Sequence, residues 1–332
     1  VILLFKLLLE RPSSKFLIFF FSAFCLAIII GLSTHKLFDA LTIISTILFI
    51  ISINNVNFRK VLILWTVSIV LLMISIYGLL KFGIIENTLR VQLGGRFRFS
   101  QGYQYASFVA NFLFHLTLVY LYLRKSKIRL SEILLFGILN YYFYVNTDTK
   151  SAFFLSILAL VLVYIFKNKV VSQKILNAIG KITLTAGILI PIILTYFYNA
   201  NSKFFQILNV ALTGRLSLGH KTLSLYGVHM FGQRIDWELQ QRATSVFDNY
   251  LYVDSSFVNI LLHYGVILLV VIWYSFYQLN KRGHFNTVEM LVFIVLILHS
   301  MFDPQFFELM YNPLLLLMGI SWSKYRYNYQ DV

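Results

Sequence analysis

Three arginines stand close together in a short polar stretch of this chain, at Arg90, Arg96 and Arg98. Arginine presents a planar fork of donors that can grip a phosphate group at two points. Gly94 and Gly95 would let the backbone approach a ligand closely. The stretch is therefore a candidate anion-binding segment, and a solvated loop or arginines anchored to lipid headgroups are the alternatives.

A second polar stretch, 199–254, holds further candidate anion ligands and general bases: Arg215, His220, His229, Arg234 and Asp254. The histidines are candidate bases because imidazole titrates near neutral pH. An exposed histidine is, however, more often a solvated side chain. An acid such as Asp254, at the start of an apolar helix, is favoured by the helix dipole alone.

Two charges, Asp148 and Lys150, stand in the short turn 146–151 between two apolar runs. A charge at such a boundary is costly unless it is paired or functional. Lys150 is therefore another candidate ligand for an anion. An ion pair between the two side chains is the simpler alternative.

The sequence contains no GxxxxGK[ST], GxGxxG or HExxH motif, so it offers no sign of a nucleotide or metalloprotease site. His115, His263 and His299 lie in apolar runs without ligand spacing. The pair Asp236 and Glu238 is the nearest approach to an acidic metal cluster, and ion pairs with neighbouring arginines explain it more simply. We predict no metal and no cofactor, so a transfer reaction would need a pre-activated substrate.

The composition indicates that lipid is the main solvent around this chain. Of 332 residues, 59% are hydrophobic and 12% are charged, against roughly 25% charged residues in soluble domains. The net charge of +15 is explained by cytoplasmic loops rich in Lys and Arg, so we predict no nucleic-acid partner. The single cysteine, Cys25, cannot form an internal disulfide.

A spanning helix needs roughly 20 mainly apolar residues. Runs without Asp, Glu, Lys or Arg that approach this length are 16–34, 40–58, 61–80, 99–123, 133–147, 151–166, 182–202, 255–280, 290–302 and 309–323. Short runs are tolerated where neighbouring helices shield their ends. The sequence therefore predicts an all-α polytopic membrane protein, a single integral membrane domain over 1–332 with about ten transmembrane helices.

Most of the 28 lysines and arginines fall on one side when the runs alternate from an inside N-terminus. The positive-inside rule then places both termini in the cytoplasm. The segments 81–102 and 199–254 lie outside. The second is a large extracytoplasmic loop between helices 7 and 8, and the spacing of Leu212, Leu216 and Leu223 predicts short helices on the membrane surface.

The chain resembles the Wzy-type polymerases of bacterial O-antigen, capsule and exopolysaccharide assembly. Four stretches carry the resemblance: Gly95-Arg96-Phe97-Arg98-Phe99-Ser100-Gln101-Gly102-Tyr103; Thr147-Asp148-Thr149-Lys150-Ser151; Thr213-Gly214-Arg215-Leu216 with Tyr226-Gly227 and Phe231-Gly232; and Val253-Asp254-Ser255-Ser256-Phe257-Val258-Asn259-Ile260-Leu261-Leu262-His263-Tyr264-Gly265-Val266. The chain departs from the family at Lys150, where the family has arginine, and at 102–106.

The resemblance implies a GT-C-like polymerase or ligase architecture in the bacterial cytoplasmic membrane. Its reaction, at the outer face, transfers a growing glycan from undecaprenyl diphosphate to an incoming lipid-linked oligosaccharide unit, without a metal. Arg215 would be catalytic together with a base, for which His220, Asp254 and then His229 are the candidates. The residues implied to bind diphosphate or glycan are Arg90, Arg96, Arg98, Lys150, His229 and Arg234.

Other functions fit parts of the same pattern. An O-antigen ligase-like glycan transferase shares the architecture and the donor, and differs in its acceptor. A flippase for lipid-linked oligosaccharide should show paired halves with broken helices, and no such repeat is visible in the sequence. The resemblance also implies a chain-length regulator and a flippase as partners, and a membrane protein without catalysis is the simplest alternative.

Overall fold

A computed structural model of the chain describes residues 14–34, 37–53, 56–92, 96–237, 251–282 and 285–322. It is all-helical, with 75% helix and 2% strand, which confirms the predicted secondary-structure class. In the described ranges the helices are α1 (Ser14–Thr34), α2 (Leu37–Ser52), α3 (Phe58–Lys81), α4 (Ala106–Arg124), α5 (Leu130–Thr147), α6 (Lys150–Phe166), α7 (Gln173–Tyr196), α8 (Lys203–Ala211), α9 (Arg215–Tyr226), α10 (Ser256–Asn259), α11 (Val266–Lys281), α12 (Thr287–Ser300) and α13 (Leu317–Trp322).

Three of the described helices, α3, α4 and α7, are long and apolar enough to cross a membrane by length and composition. Shorter apolar helices occupy much of α1, α2, α6, α11 and α12. On α3, large apolar side chains such as Leu64 and Ile74 are exposed, as in a helix that faces lipid. The structure is thus consistent with a helical membrane protein, and the number of about ten spans stays a prediction.

Helix α4 forms the centre of the core. It is buried along most of its length and packs against α3, α5, α6 and α12. At its C-terminal end, the ammonium of Lys125 lies 3.2 Å from the carboxylate of Glu289 at the start of α12. Arg124 lies 2.8 Å from Glu132 at the start of α5. The N-terminal end of α4 therefore adjoins the C-terminal end of α12, where the candidate site lies.

The stretch before α4 is a β-hairpin rather than part of a helix. Strand β1 (Leu89–Gln92) pairs antiparallel with β2 (Arg96–Phe99), and Arg90 lies opposite Arg98. The predicted span 99–123 therefore starts late, at Ala106, because Gln101 and Gly102 turn the chain with positive φ angles of 53° and 83°. The hairpin was not predicted from the sequence.

The predicted eighth span, 255–280, is interrupted. The short helix α10 continues as a single π-turn, Ile260–Tyr264, and α11 begins after Gly265, whose φ is 92°. A Cβ on Gly265 would lie 2.3 Å from the backbone nitrogen of Gly232. Only glycine fits there, so this break lets the segment after α9 pack against the helix.

The predicted tenth span, 309–323, is also not one regular helix. It consists of a 3₁₀ turn, Pro313–Leu316, followed by the six-residue helix α13. A further 3₁₀ turn, Pro304–Phe307, follows α12. In the predicted outer loop 199–254, the described residues form the two short helices α8 and α9.

Candidate functional site

Arg215 and Asp254 approach each other from two different elements. Arg215 is the first residue of α9, directly after Gly214, whose φ of 83° turns the chain into the helix. Asp254 lies in the extended segment before α10, which begins where the hydroxyl of Ser255 accepts a hydrogen bond from the backbone N–H of Val258. The Nε of Arg215 lies 3.5 Å from an Oδ of Asp254.

This pair lies on the wall of a cavity of about 170 Å³. The other lining residues come from α7, α8, α9, α10 and the ends of the neighbouring segments: Ile190, Pro191, Leu194, Thr195, Leu208, Leu212, Leu216, Gly219, Val253, Ser255, Val258, Met301 and Phe302. Most of them are apolar, and Arg215 and Asp254 are the charged residues among them. The cavity wall therefore combines one cation and one anion with a mainly apolar surface.

Burial raises the pKa of the Asp254 carboxyl to about 6. The Arg215 guanidinium opposes this rise, the negative charge of Asp303 adds to it, and the Arg98 guanidinium opposes it. At neutral pH Asp254 is then mostly ionised. Its pKa nevertheless lies far closer to neutral pH than the pKa of an ordinary carboxyl group does. This is the property of an effective general base.

Asp303, which the sequence analysis did not single out, lies buried beside this pair, with 4% of its surface exposed. One Oδ accepts a hydrogen bond of 3.3 Å from the amide of Asn111, and the other accepts one of 2.7 Å from the hydroxyl of Ser151. The Nε2 of His299 lies 3.2 Å from the second oxygen. Its position directly after a predicted span was the one sequence signal that could have identified it.

Arg98 joins the hairpin to the turn between α5 and α6. Its Nε donates a hydrogen bond of 2.7 Å to the carbonyl oxygen of Thr147, and an Nη donates one of 3.0 Å to the hydroxyl of Thr149. Burial raises the pKa of both Asp254 and Asp303, and the positive charge of Arg98 opposes that rise. We call Arg98, Arg215, Asp254 and Asp303 the charge cluster, which holds two cations and two carboxyl groups.

His220 lies on α9 but does not line the cavity, where its neighbour Gly219 does. Its Nδ1 is 2.9 Å from the carbonyl oxygen of Thr195 on α7, and its ring lies 5.6 Å from that of Tyr198. A carbonyl oxygen can only accept, so Nδ1 carries the proton. The contact therefore docks α9 on α7 and leaves the basic nitrogen of the ring as Nε2.

Two predicted arginines of the hairpin, Arg90 and Arg98, have different contacts. Arg90 is exposed; an Nη donates a hydrogen bond of 3.3 Å to the carbonyl oxygen of Gln104, and the guanidinium lies 4.5 Å from the centroid of the Tyr105 ring. Arg96 stands opposite Gln92 in the hairpin, and its side chain lies outside the described residues. Of the two hairpin arginines whose side chains the structure describes, Arg98 is the one whose charge acts on Asp254 and Asp303.

Three other predicted ligands lie apart from the pair of Arg215 and Asp254. Lys150 is exposed at the first position of α6. His229 is exposed, and its Nε2 lies 3.3 Å from the carbonyl oxygen of Tyr226 on its own segment. Arg234 is exposed in the segment after α9. None of the three lines the cavity.

Within the described ranges, no group of three or more His, Cys, Asp or Glu side chains could hold a metal ion. Of the acidic pair considered in the sequence, Asp236 is partly buried and Glu238 lies outside the described residues.

Comparisons of the chain with protein-family models, curated proteins and solved structures find no match. The arrangement itself can bind an anion through Arg215 and accept a proton through Asp254.

Proposed function

We propose that this chain is a metal-independent glycosyltransferase of the bacterial cytoplasmic membrane. It polymerises undecaprenyl-diphosphate-linked oligosaccharide units into a surface polysaccharide at the outer face of that membrane. The observation that carries the proposal is the pair of Arg215 and Asp254 on the wall of an apolar cavity. Such a site suits a substrate with a diphosphate next to a long hydrocarbon chain.

Arg215 is the residue that binds the diphosphate. It faces Asp254 through Nε, and in the described part of the chain its two Nη groups keep their donors for a ligand. A guanidinium can contact two phosphate oxygens at once. As the diphosphate leaves it gains negative charge, and a fixed cation at that point stabilises the transition state more than the ground state.

Asp254 is the general base. The hydroxyl oxygen of the incoming unit attacks the anomeric carbon of the growing chain and forms the new C–O bond. The bond from that carbon to the diphosphate oxygen breaks, and its electron pair leaves with the lipid diphosphate. The hydroxyl proton passes to the Asp254 carboxylate, whose pKa of about 6 suits this transfer near neutral pH.

The proposed architecture is GT-C-like, with about ten spans and both termini in the cytoplasm. The basic residues Arg124, Lys125 and Lys127 lie at the C-terminal end of α4, and Lys125 pairs there with the start of α12. Asp303 and Asn111 meet at the opposite end. The positive-inside rule therefore supports a site that faces outward, served by a separate flippase and chain-length regulator.

Deletion of the gene tests this proposal. Cells without it should accumulate single lipid-linked repeat units, accessible to a reagent added from outside the cytoplasmic membrane. The wild-type gene should restore long polymer and Asp254→Asn should not, because the amide cannot accept the proton. Asp236→Asn is the matched control in the same outer segment and should restore polymer as the wild type does.

The location of the accumulated material separates the alternatives. Units trapped on the inner leaflet would identify a flippase and refute the polymerase. Full-length polymer that stays on its lipid carrier would identify a ligase instead. Unchanged polymer in the deletion strain would contradict all three functions.

A further inference from the structure

The buried carboxylate of Asp303 lies outside the cavity lining, yet it is in contact with three helices. Asn111 comes from α4, Ser151 from the first turn of α6, and His299 from the last turn of α12. Asn111 and Ser151 donate to its two different carboxylate oxygens. Burial raises the pKa of the Asp303 carboxyl, and the Arg215 guanidinium and these two hydrogen bonds oppose that rise because they stabilise its ionised form.

The backbone of Asp303 is tied to the segment that carries Asp254. The hydroxyl of Ser256 donates a short hydrogen bond to the carbonyl oxygen of Asp303 and accepts one of 3.0 Å from the backbone N–H of Phe306. Ser256 is fully buried and lies two residues after Asp254. The turn after α12 therefore fixes where Asp254 can stand.

We propose that Asp303 is a positioning residue that holds the Asp254 segment in place and makes the Asp254 carboxylate a stronger base through its own negative charge. This inference rests on the proposed function, because it assigns Asp303 a role in the proton transfer described there. Asp303 does not line the cavity and therefore acts through Asp254 rather than on the substrate.

The charges around the two carboxylates support this assignment. Arg215 from α9 and Arg98 from β2 act on both Asp254 and Asp303, and His299 from α12 faces Asp303. With both acids ionised, the charge cluster has no net charge. Two like charges in one partly buried site repel each other, and protonation of the more accessible acid, Asp254, relieves that repulsion.

Asp303→Asn tests the inference, because it removes the charge and keeps the shape. In the purified full-length protein, an infrared pH titration of the Asp254 carboxyl, identified by its loss in Asp254→Asn, gives the midpoint directly. We expect Asp303→Asn to lower this midpoint by about one pH unit, and the acid limb of chain elongation to move with it. Asp303→Glu keeps the charge and should restore the wild-type midpoint.

Glu289→Gln is the matched control. It makes the same change from carboxylate to amide at another buried acid, in α12, the helix that precedes Asp303, at the far end where Glu289 pairs with Lys125. It should leave the midpoint of Asp254 unchanged. If Asp303→Asn does not fold, Ser151→Ala takes its place: it removes a hydrogen bond to Asp303, weakens its ionisation and should lower the midpoint by a smaller amount.

The infrared midpoint and the elongation assay fail separately. An unchanged midpoint in Asp303→Asn, with a wild type that elongates chains, overturns the role of Asp303 and leaves the proposed function standing. A lowered midpoint in a protein whose wild type elongates no chains overturns the proposed function and supports the electrostatic link. Equal midpoint shifts in Asp303→Asn and Glu289→Gln would also overturn the inference, since the effect would then be general.

Discussion

Replacement of Arg215 by alanine separates the two roles that the proposed mechanism assigns to this side chain. The guanidinium binds the diphosphate, and it also keeps the pKa of Asp254 from rising further. Arg215 stands at the first position of α9 and its side chain does not cap the helix, so alanine should preserve the local fold. Its removal should therefore lower the rate at every pH and should also move the pH dependence.

The size of the pH effect follows from the geometry of the pair. Two unit charges 3.5 Å apart interact by roughly 5 kcal/mol at an effective dielectric constant of 20, which equals a pKa change of about 3.5 units. The two side chains are 28% and 18% exposed, so water screens part of this energy. We expect a rise of about 1 to 2 units, within the range observed for such pairs.

Elongation by the wild type should lose half its rate near pH 6, because protonation of Asp254 removes the base as the pH falls. In Arg215→Ala the acid limb should lie at about pH 7 to 8. Above pH 9 both proteins have an ionised base, and the remaining deficit reflects the diphosphate alone, about 10² to 10³-fold. At pH 6.5 the deficit should be about tenfold larger.

The assay uses the full-length protein in proteoliposomes, with lipid-linked units extracted from the deletion strain and chain length read on a gel. Arg215→Lys is the matched control, because it keeps the charge and loses the bidentate fork. Its acid limb should lie close to that of the wild type, with a lower plateau. An Arg215→Ala protein that elongates at more than a tenth of the wild-type rate at pH 9, or whose acid limb coincides with that of the wild type, would refute the reasoning.

Two further predictions concern the residues around the pair. Arg98→Ala removes two charge-assisted hydrogen bonds between the hairpin and the turn after α5. It should lower the unfolding free energy by about 2 kcal/mol, which is measured as a lower Tm in detergent. An unchanged Tm would show that these bonds do not stabilise the protein. His220→Gln should retain at least about a tenth of the elongation rate, while Asp254→Asn should fall by about 10² or more. A larger loss in His220→Gln than in Asp254→Asn would make His220 the base, and equal losses would contradict the assignment of the base to Asp254.

The helical class could be read from the sequence because apolar runs of spanning length report the solvent around a helix. The breaks within those runs could not. The run 255–280 contains Gly265, but the reason for the break is its contact with Gly232, about thirty residues away in the chain. The strand Arg96–Phe99 could not be predicted for a similar reason. It is defined by its pairing with the segment Leu89–Gln92 and not by the pattern of its own residues.

The site could be predicted only in part, because the sequence shows residue types but not the contacts between distant residues. Arg98, Arg215 and Asp254 have residue types that suggest chemistry wherever they occur, and the structure brings all three into one charge cluster. Asp303 was missed because its importance lies in its neighbours: Asn111 and Ser151 are far from it in sequence and ordinary in type. The position of a single acid after an apolar run does not show which side chains will surround it.

The burial of Asp303 explains why an acid can be useful here without touching substrate. Water and salt weaken the charge of an exposed carboxylate, which would therefore change the proton affinity of Asp254 much less. Asp303 is almost fully enclosed, and donors from α4 and α6 stabilise its ionised form against the burial that raises its pKa. Its field is therefore directed at Asp254 and Arg215, so that the helices which form the core also set the chemistry at the cavity wall.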